Sequence, residues 1–362
     1  MRLRNVAPVA LVLACAGALV VAARSTPRDD AYVVHRLVAD VPGRAAHVDP
    51  QLVNPWGLAA TPTGEWWTGN EARESSTLYS GSGRKTVLDV HVDGGPTAVV
   101  FNSGSGFVER GGGRSDPARF IYACEDGVLR AWTPTVPTGW STRAVPVFQG
   151  EPAALYRGLA LLGTRLYAAD FHNARVVVLD AHWRQVRLAF RDPSIPEWYA
   201  PFGVAAISGH IFVTYAWRAP VNGNDAPTGG YVDEFTASGR LVARLPRAEL
   251  NEPWGLARAP KSFGRLGGDL LVGNFGDGQI GAYRRSGSRW VFDAYLRGRD
   301  HKPIAISGLW SLAFGNDGLA GSSQTLFFTA GPHTWVGATE QSVHGLLGAI
   351  EPTRHRRIPQ HA

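Results

Sequence analysis

Four oxygen-bearing side chains, Asn70, Glu125, Asp170 and Asn274, each stand at the end of a short apolar run: WWTGN, IYACE, LYAAD and LLVGN. Carboxylates and amides are the ligands that Ca2+ prefers, and it takes roughly six to eight oxygens. A second set shares another position: Trp56, Arg157, Phe202, Trp254 and Trp310 each follow the first residue of a recurring pentapeptide. Aromatic faces beside hydrogen-bonding groups suit a sugar ring or another small organic ligand. If the two sets share one rim, the chemistry they predict is binding of a small molecule, a glycan or a protein partner. The alternative is a Ca2+-dependent hydrolase of the lactonase or esterase kind, in which the ion polarises a carbonyl and a rim carboxylate or His172 acts as base. The chain has no G-x-S-x-G, H-E-x-x-H, C-x-x-C or Walker sequence, so no motif assigns a catalytic residue.

The elements that would position these residues are legible as a repeat. PWGLA occurs at Pro55–Ala59 and again at Pro253–Ala257, and weaker copies begin at Pro96, Tyr156, Pro201 and Leu309. The six copies lie 41 to 60 residues apart. Each is followed by a β-rich run, a turn, a third apolar run and often a fourth. Four short strands repeated six times predict an all-β, six-bladed propeller of four-stranded antiparallel blades. The third pentapeptide position is always small (Gly57, Ala98, Gly158, Gly203, Gly255, Ser311), as inner strands converging on an axis require. In an antiparallel hairpin the start of one strand lies beside the end of the next, so both candidate sets belong to one face. The long segments Arg218–Gly230 and Gly331–Gly345 overhang that face, whereas the Gly- and Ser-rich Asn102–Pro117 reads as a mobile loop on the other. VVHRLV at Val33–Val38 is expected to pair with the last blade and close the ring.

The 362 residues are 44% hydrophobic and 18% charged, enough for a large core. The net charge of +6 comes with no block of five like charges, which argues against nucleic acid as a partner. Arg2 and Arg4 precede an uncharged, mostly apolar run, Val6–Ala23, that reads as an export signal or retained anchor. The expected organisation is residues 1–23 as signal peptide or anchor, 24–32 as linker, 33–352 as propeller and 353–362 as a basic tail containing Arg354–Arg357. The expected location is extracytoplasmic, with membrane contact only through the N-terminal segment. Of the two cysteines, Cys15 lies in that segment and Cys124 is left as a buried small hydrophobe, without a disulfide.

LYAADFHNARVVVLD at Leu166–Asp180 resembles the NHL-repeat unit, in which a strand ends in Asp, a turn carries Asn and Arg, and an apolar strand follows. With LVNPWGLA, YAPFGV, LLVGNFGDG and GLWSLAFGN, the region from about residue 50 to 350 is similar to an uncharacterised family of exported bacterial propeller proteins. That resemblance implies the fold and brings no activity with it.

Overall fold

The computed structural model describes residues 31–218, 229–336 and 339–353. The export segment, most of the linker, the basic tail and most of Arg218–Gly230 lie outside them. Six antiparallel sheets surround a central axis, and their innermost strands are Pro55–Ala60, Pro96–Phe101, Tyr156–Leu162, Tyr199–Ile207, Pro253–Arg258 and Leu309–Phe314. In the first, third, fourth and fifth blades the four strands follow one another outward in chain order. The second blade does the same around an inserted hairpin, Val108–Gly111 with Arg114–Pro117.

The sixth blade is closed by the beginning of the described chain. Tyr32–Ala39 pairs antiparallel with Leu346–Pro352, from Tyr32 opposite Pro352 to Ala39 opposite Leu346. This joins the two ends of the propeller within one sheet and leaves no free seam.

The small residues at the third pentapeptide position stand where adjacent blades touch. A Cβ on Gly203 would lie 2.6 Å from the Trp254 carbonyl oxygen, and one on Gly255 would lie 2.2 Å from that of Trp310. No alanine fits there without moving a neighbouring backbone. The motif recurs because the close approach of inner strands recurs.

One expectation needs correction. Asn102–Pro117 contains an ordered hairpin and is anchored at both ends of its approach. Phe107 is fully buried with its ring 5.0 Å from that of Trp183 in the next blade. The Asn102 amide donates to the carbonyls of Gly106 and Ala118. Cys124 is a buried free thiol, and burial pushes its pKa up to about 12, so it behaves as a small apolar side chain.

Candidate functional site

The face where inner strands begin is held by a repeated backbone hydrogen bond. The residue just past each second strand donates its amide to the residue just before each inner strand: Glu71 to Asn54, Glu125 to Gly95, Phe171 to Leu155, Phe275 to Glu252 and Gly331 to Gly308. Four of these acceptors, Asn54, Gly95, Glu252 and Gly308, are left-handed, with φ from 47° to 69°. Glycine adopts that conformation freely, but Asn54 and Glu252 do so at a cost of about 1 kcal/mol or more. Those two residues are also the ones that direct a polar side chain toward the axis.

The five aromatic and arginine residues read from the sequence do come together, in a different form from the one expected. Trp56 and Trp310 stack with ring centroids 3.5 Å apart, Trp254 meets both edge-on at 6.2 and 5.7 Å, and Phe202 meets both at 6.4 and 5.9 Å. All four are buried. They form a plug across the axis, where a ring around an open channel was anticipated. Phe275, stacked on Trp310 at 4.1 Å, extends it outward. The Trp310 indole N–H donates to Asn54 Oδ1, and that of Trp254 to the Arg157 carbonyl.

Arg157 lies on this plug. Its guanidinium carbon is 4.9 Å from the Phe171 ring centroid, 5.6 Å from that of Trp56 and 5.8 Å from that of Phe202. Its anionic partner is Glu125, at 3.4 Å, and among the described residues its Nε has no hydrogen-bond partner. Burial pulls the Arg157 pKa below its ordinary value against the opposing charges of Glu125, Glu71 and Glu252. Burial likewise pushes Glu125 and Glu252 up, only partly offset by Arg157. Above the plug is a cavity of about 180 Å3 bordered by Arg157, Glu252, Phe171, Trp217, Phe275 and His333.

Of the four oxygen-bearing residues read from the sequence, Asn70, Asp170 and Asn274 are engaged by partners of their own. Asn70 is fully buried and donates to Ser75 Oγ and Thr77 Oγ1 while accepting from Thr68. Asp170 accepts from the Leu155 and Asn173 amides, from Asn173 Nδ2 and from Arg175 Nε. Asn274 donates to the Glu249 carbonyl. Glu125 is the one of the four paired with Arg157, and it stands one residue beyond its strand, Phe120–Cys124. Successive strand residues point to opposite faces, so the residues that reach the mouth are those at the position after each second strand: Glu71, Glu125, Phe171 and Phe275. Parity with Trp56 and Arg157 was the signal that could have found them, together with Asn54 and Glu252, which lie two residues before Trp56 and Trp254.

Among the described residues, the group of three Asp, Glu or His side chains near enough to share a cation is elsewhere, at Glu74, His91 and Asp93. There Arg143 already pairs with both oxygens of Asp93, and His91 with one. His172 is exposed at its turn, and His344 pairs with Asp40, the residue just after the closing strand.

A solved streptogramin B lyase covers 91% of this chain with a TM-score of 0.52 at 11% identity, and the whole of that chain is matched. A soluble aldose sugar dehydrogenase from Escherichia coli covers 89% with a TM-score of 0.50 at 14% identity, again over its full length. At such identities these likenesses speak for the fold alone. No protein-family model matches the chain. The uncharacterised protein L690 of Acanthamoeba polyphaga mimivirus is 29% identical over 338 residues, which is 88% of this chain and 85% of that protein. The uncharacterised protein R648 of the same virus is 30% identical over 336 residues, 88% of this chain and 80% of that protein. These relatives are viral, whereas the sequence resemblance implied a bacterial family. The chain belongs to the family of the uncharacterised mimivirus protein R648.

Proposed function

We propose that the protein is an extracytoplasmic binding propeller whose mouth, on the face where inner strands begin, holds one sugar unit of a glycan. The observation that carries this reading is Arg157, a guanidinium laid on aromatic rings and paired with Glu125, whose Nε has no partner among the described residues. A polyhydroxylated ring needs both donors and acceptors, and it needs a flat apolar surface for its C–H face. Arg157 supplies donors, Glu252 and Glu125 supply acceptors, and Phe171, Trp217 and Phe275 supply faces. The volume of about 180 Å3 suits a single ring. An export reading of Val6–Ala23 supports a site that meets glycans.

The test is titration calorimetry of the full chain with glucose, galactose and N-acetylglucosamine. Saturable binding of at least one is expected, weakened tenfold or more by Arg157→Ala and by Glu252→Gln without a matching loss of thermal stability. No binding of any of the three, or binding that neither substitution changes, overturns the proposal.

A further inference from the structure

The acids and bases around the mouth do not balance. Three carboxyl groups, those of Glu125, Glu71 and Glu252, act on the one guanidinium of Arg157. Glu125 is its ion-pair partner at 3.4 Å, and Glu71 accepts from Asn54 Nδ2 at 2.7 Å. Glu252 is the carboxyl group that borders the cavity of about 180 Å3, and it is left over. Among the described residues it has neither an ion pair nor a hydrogen-bond donor, and its burial is offset by the charge of Arg157 from farther away. A desolvated carboxylate without a donor is costly, and a cation brought by a ligand would remove that cost.

The backbone fixes Glu252 in place. Its amide donates to the Gly229 carbonyl and its carbonyl accepts from the Phe275 amide, with φ at 50°, in the left-handed region. At the matching positions of the second and sixth blades stand Gly95 and Gly308, which adopt that region without strain. In the fifth blade a residue with a carboxyl side chain bears the strain instead, and that side chain borders the mouth.

The rest of the wall suits an ammonium group carried on a hydroxylated ring. Phe171, Phe275 and Trp217 line the cavity, and aromatic rings attract cations, as the Arg157 guanidinium 4.9 Å from the Phe171 centroid illustrates. Trp56 borders the same cavity at 4% exposure, and among the described residues its indole N–H has no acceptor. A buried N–H without a partner is satisfied by an acceptor oxygen from a ligand, and a sugar hydroxyl provides one.

We propose that the sugar held in the mouth is an amino sugar with a free, protonated amine, its ammonium group set against the Glu252 carboxylate and its hydroxyls toward Arg157 and the Trp56 indole. The inference rests on the mouth binding a sugar, and it adds the charge which that sugar carries. An N-acetylated sugar of the same skeleton has no cation to pair with Glu252. A neutral hexose likewise leaves that carboxylate alone. Selectivity for the amine is therefore what Glu252 contributes.

The experiment is titration calorimetry of the full chain at neutral pH with glucosamine, glucose, N-acetylglucosamine and cyclohexylamine, the last an amine of similar ring size without hydroxyl groups. Glucosamine is expected to bind roughly tenfold or more tightly than glucose or N-acetylglucosamine, as a charge-assisted hydrogen bond allows. Glu252→Gln should bring that ratio close to one. Arg157→Ala should weaken all three sugars yet keep the preference, because it leaves the carboxyl groups in place. Should Glu252→Gln fold poorly, Glu252→Asn replaces it, since asparagine tolerates the left-handed region and stands at the matching position as Asn54. Equal binding of the three sugars keeps the sugar reading and overturns the amine. A preference for glucosamine that survives the Glu252 substitution overturns the role of that residue. Binding of cyclohexylamine but of no sugar overturns the sugar reading and the amino sugar with it, and binding of none of the four overturns both.

Discussion

Glu109 is fully buried in the inserted hairpin of the second blade, and neither of its carboxyl oxygens has a hydrogen-bond partner. Burial, and then the charge of Asp116 across the hairpin, push its pKa up to about 8. An acid whose folded-state pKa lies above its unfolded value binds more protons when folded. Its contribution to stability is complete below the ordinary carboxylate range and is lost as pH rises toward about 8. Wild-type stability should therefore fall by about 1 kcal/mol per pH unit across that window. Glu109→Gln should flatten this slope, as read from urea melts at pH 5, 6.5 and 8. Equal slopes in both proteins would show that the carboxyl group finds a partner or water. Nothing in the Gly- and Ser-rich sequence around Glu109 signals its burial, because burial arises from Trp183 and Phe107 meeting across two blades. The mouth was half legible for a related reason. Trp56 and Arg157 could be picked out by position, but the choice between Asn70 and Glu71 depends on where a strand stops, and a shift of one residue turns the side chain to the other face.

Among the elements, the strand Tyr32–Ala39 bears most on the integrity of the ring. It buries Tyr32, Val38 and Ala39, and the Tyr32 hydroxyl donates to the Phe263 carbonyl in the fifth blade. Without it the Leu346–Pro352 strand becomes an open edge with unpaired backbone groups. Deleting residues 32–39 should lower stability by more than the ~4 kcal/mol of a severe point substitution and promote aggregation. Melting curves and size-exclusion chromatography of the deletion variant check this, and an unchanged melt would mean that the ring closes without the strand. The closing role was readable from sequence because VVHRLV, a six-residue run with strand character ahead of the first repeat, was expected to supply the outer strand of the last blade. The blade count was readable because the small third position recurs wherever inner strands crowd together. The Asn102–Pro117 hairpin obeyed neither rule, since its order comes from Asn102 and Phe107 contacts that its composition does not advertise.

At the scale of the whole molecule, the plug links packing to function. Trp56, Trp254, Trp310 and Phe202 come from four different blades, so the partition is assembled only when the ring is complete. Trp310 borders the mouth on one side of these rings, and Trp254 borders a second cavity, of about 510 Å3, on the other. Trp310 is the central member, in ring contact with Trp56, Phe202, Trp254 and Phe275. Trp310→Ala should cost about 3 to 5 kcal/mol, as expected for removing a large buried aromatic, and should leave Trp56 without its stacking partner. It also releases Asn54 Oδ1 from the Trp310 indole, and Asn54 Nδ2 is what donates to Glu71 at the mouth at 2.7 Å. The substitution should therefore weaken sugar binding above the plug, as titration calorimetry reads it. Trp140→Ala, at a residue 91% exposed, is the control that should change neither stability nor sugar binding. If Trp310→Ala lowers the melting temperature while sugar binding stays as in the unaltered protein, the plug is core packing alone and the mouth is independent of it.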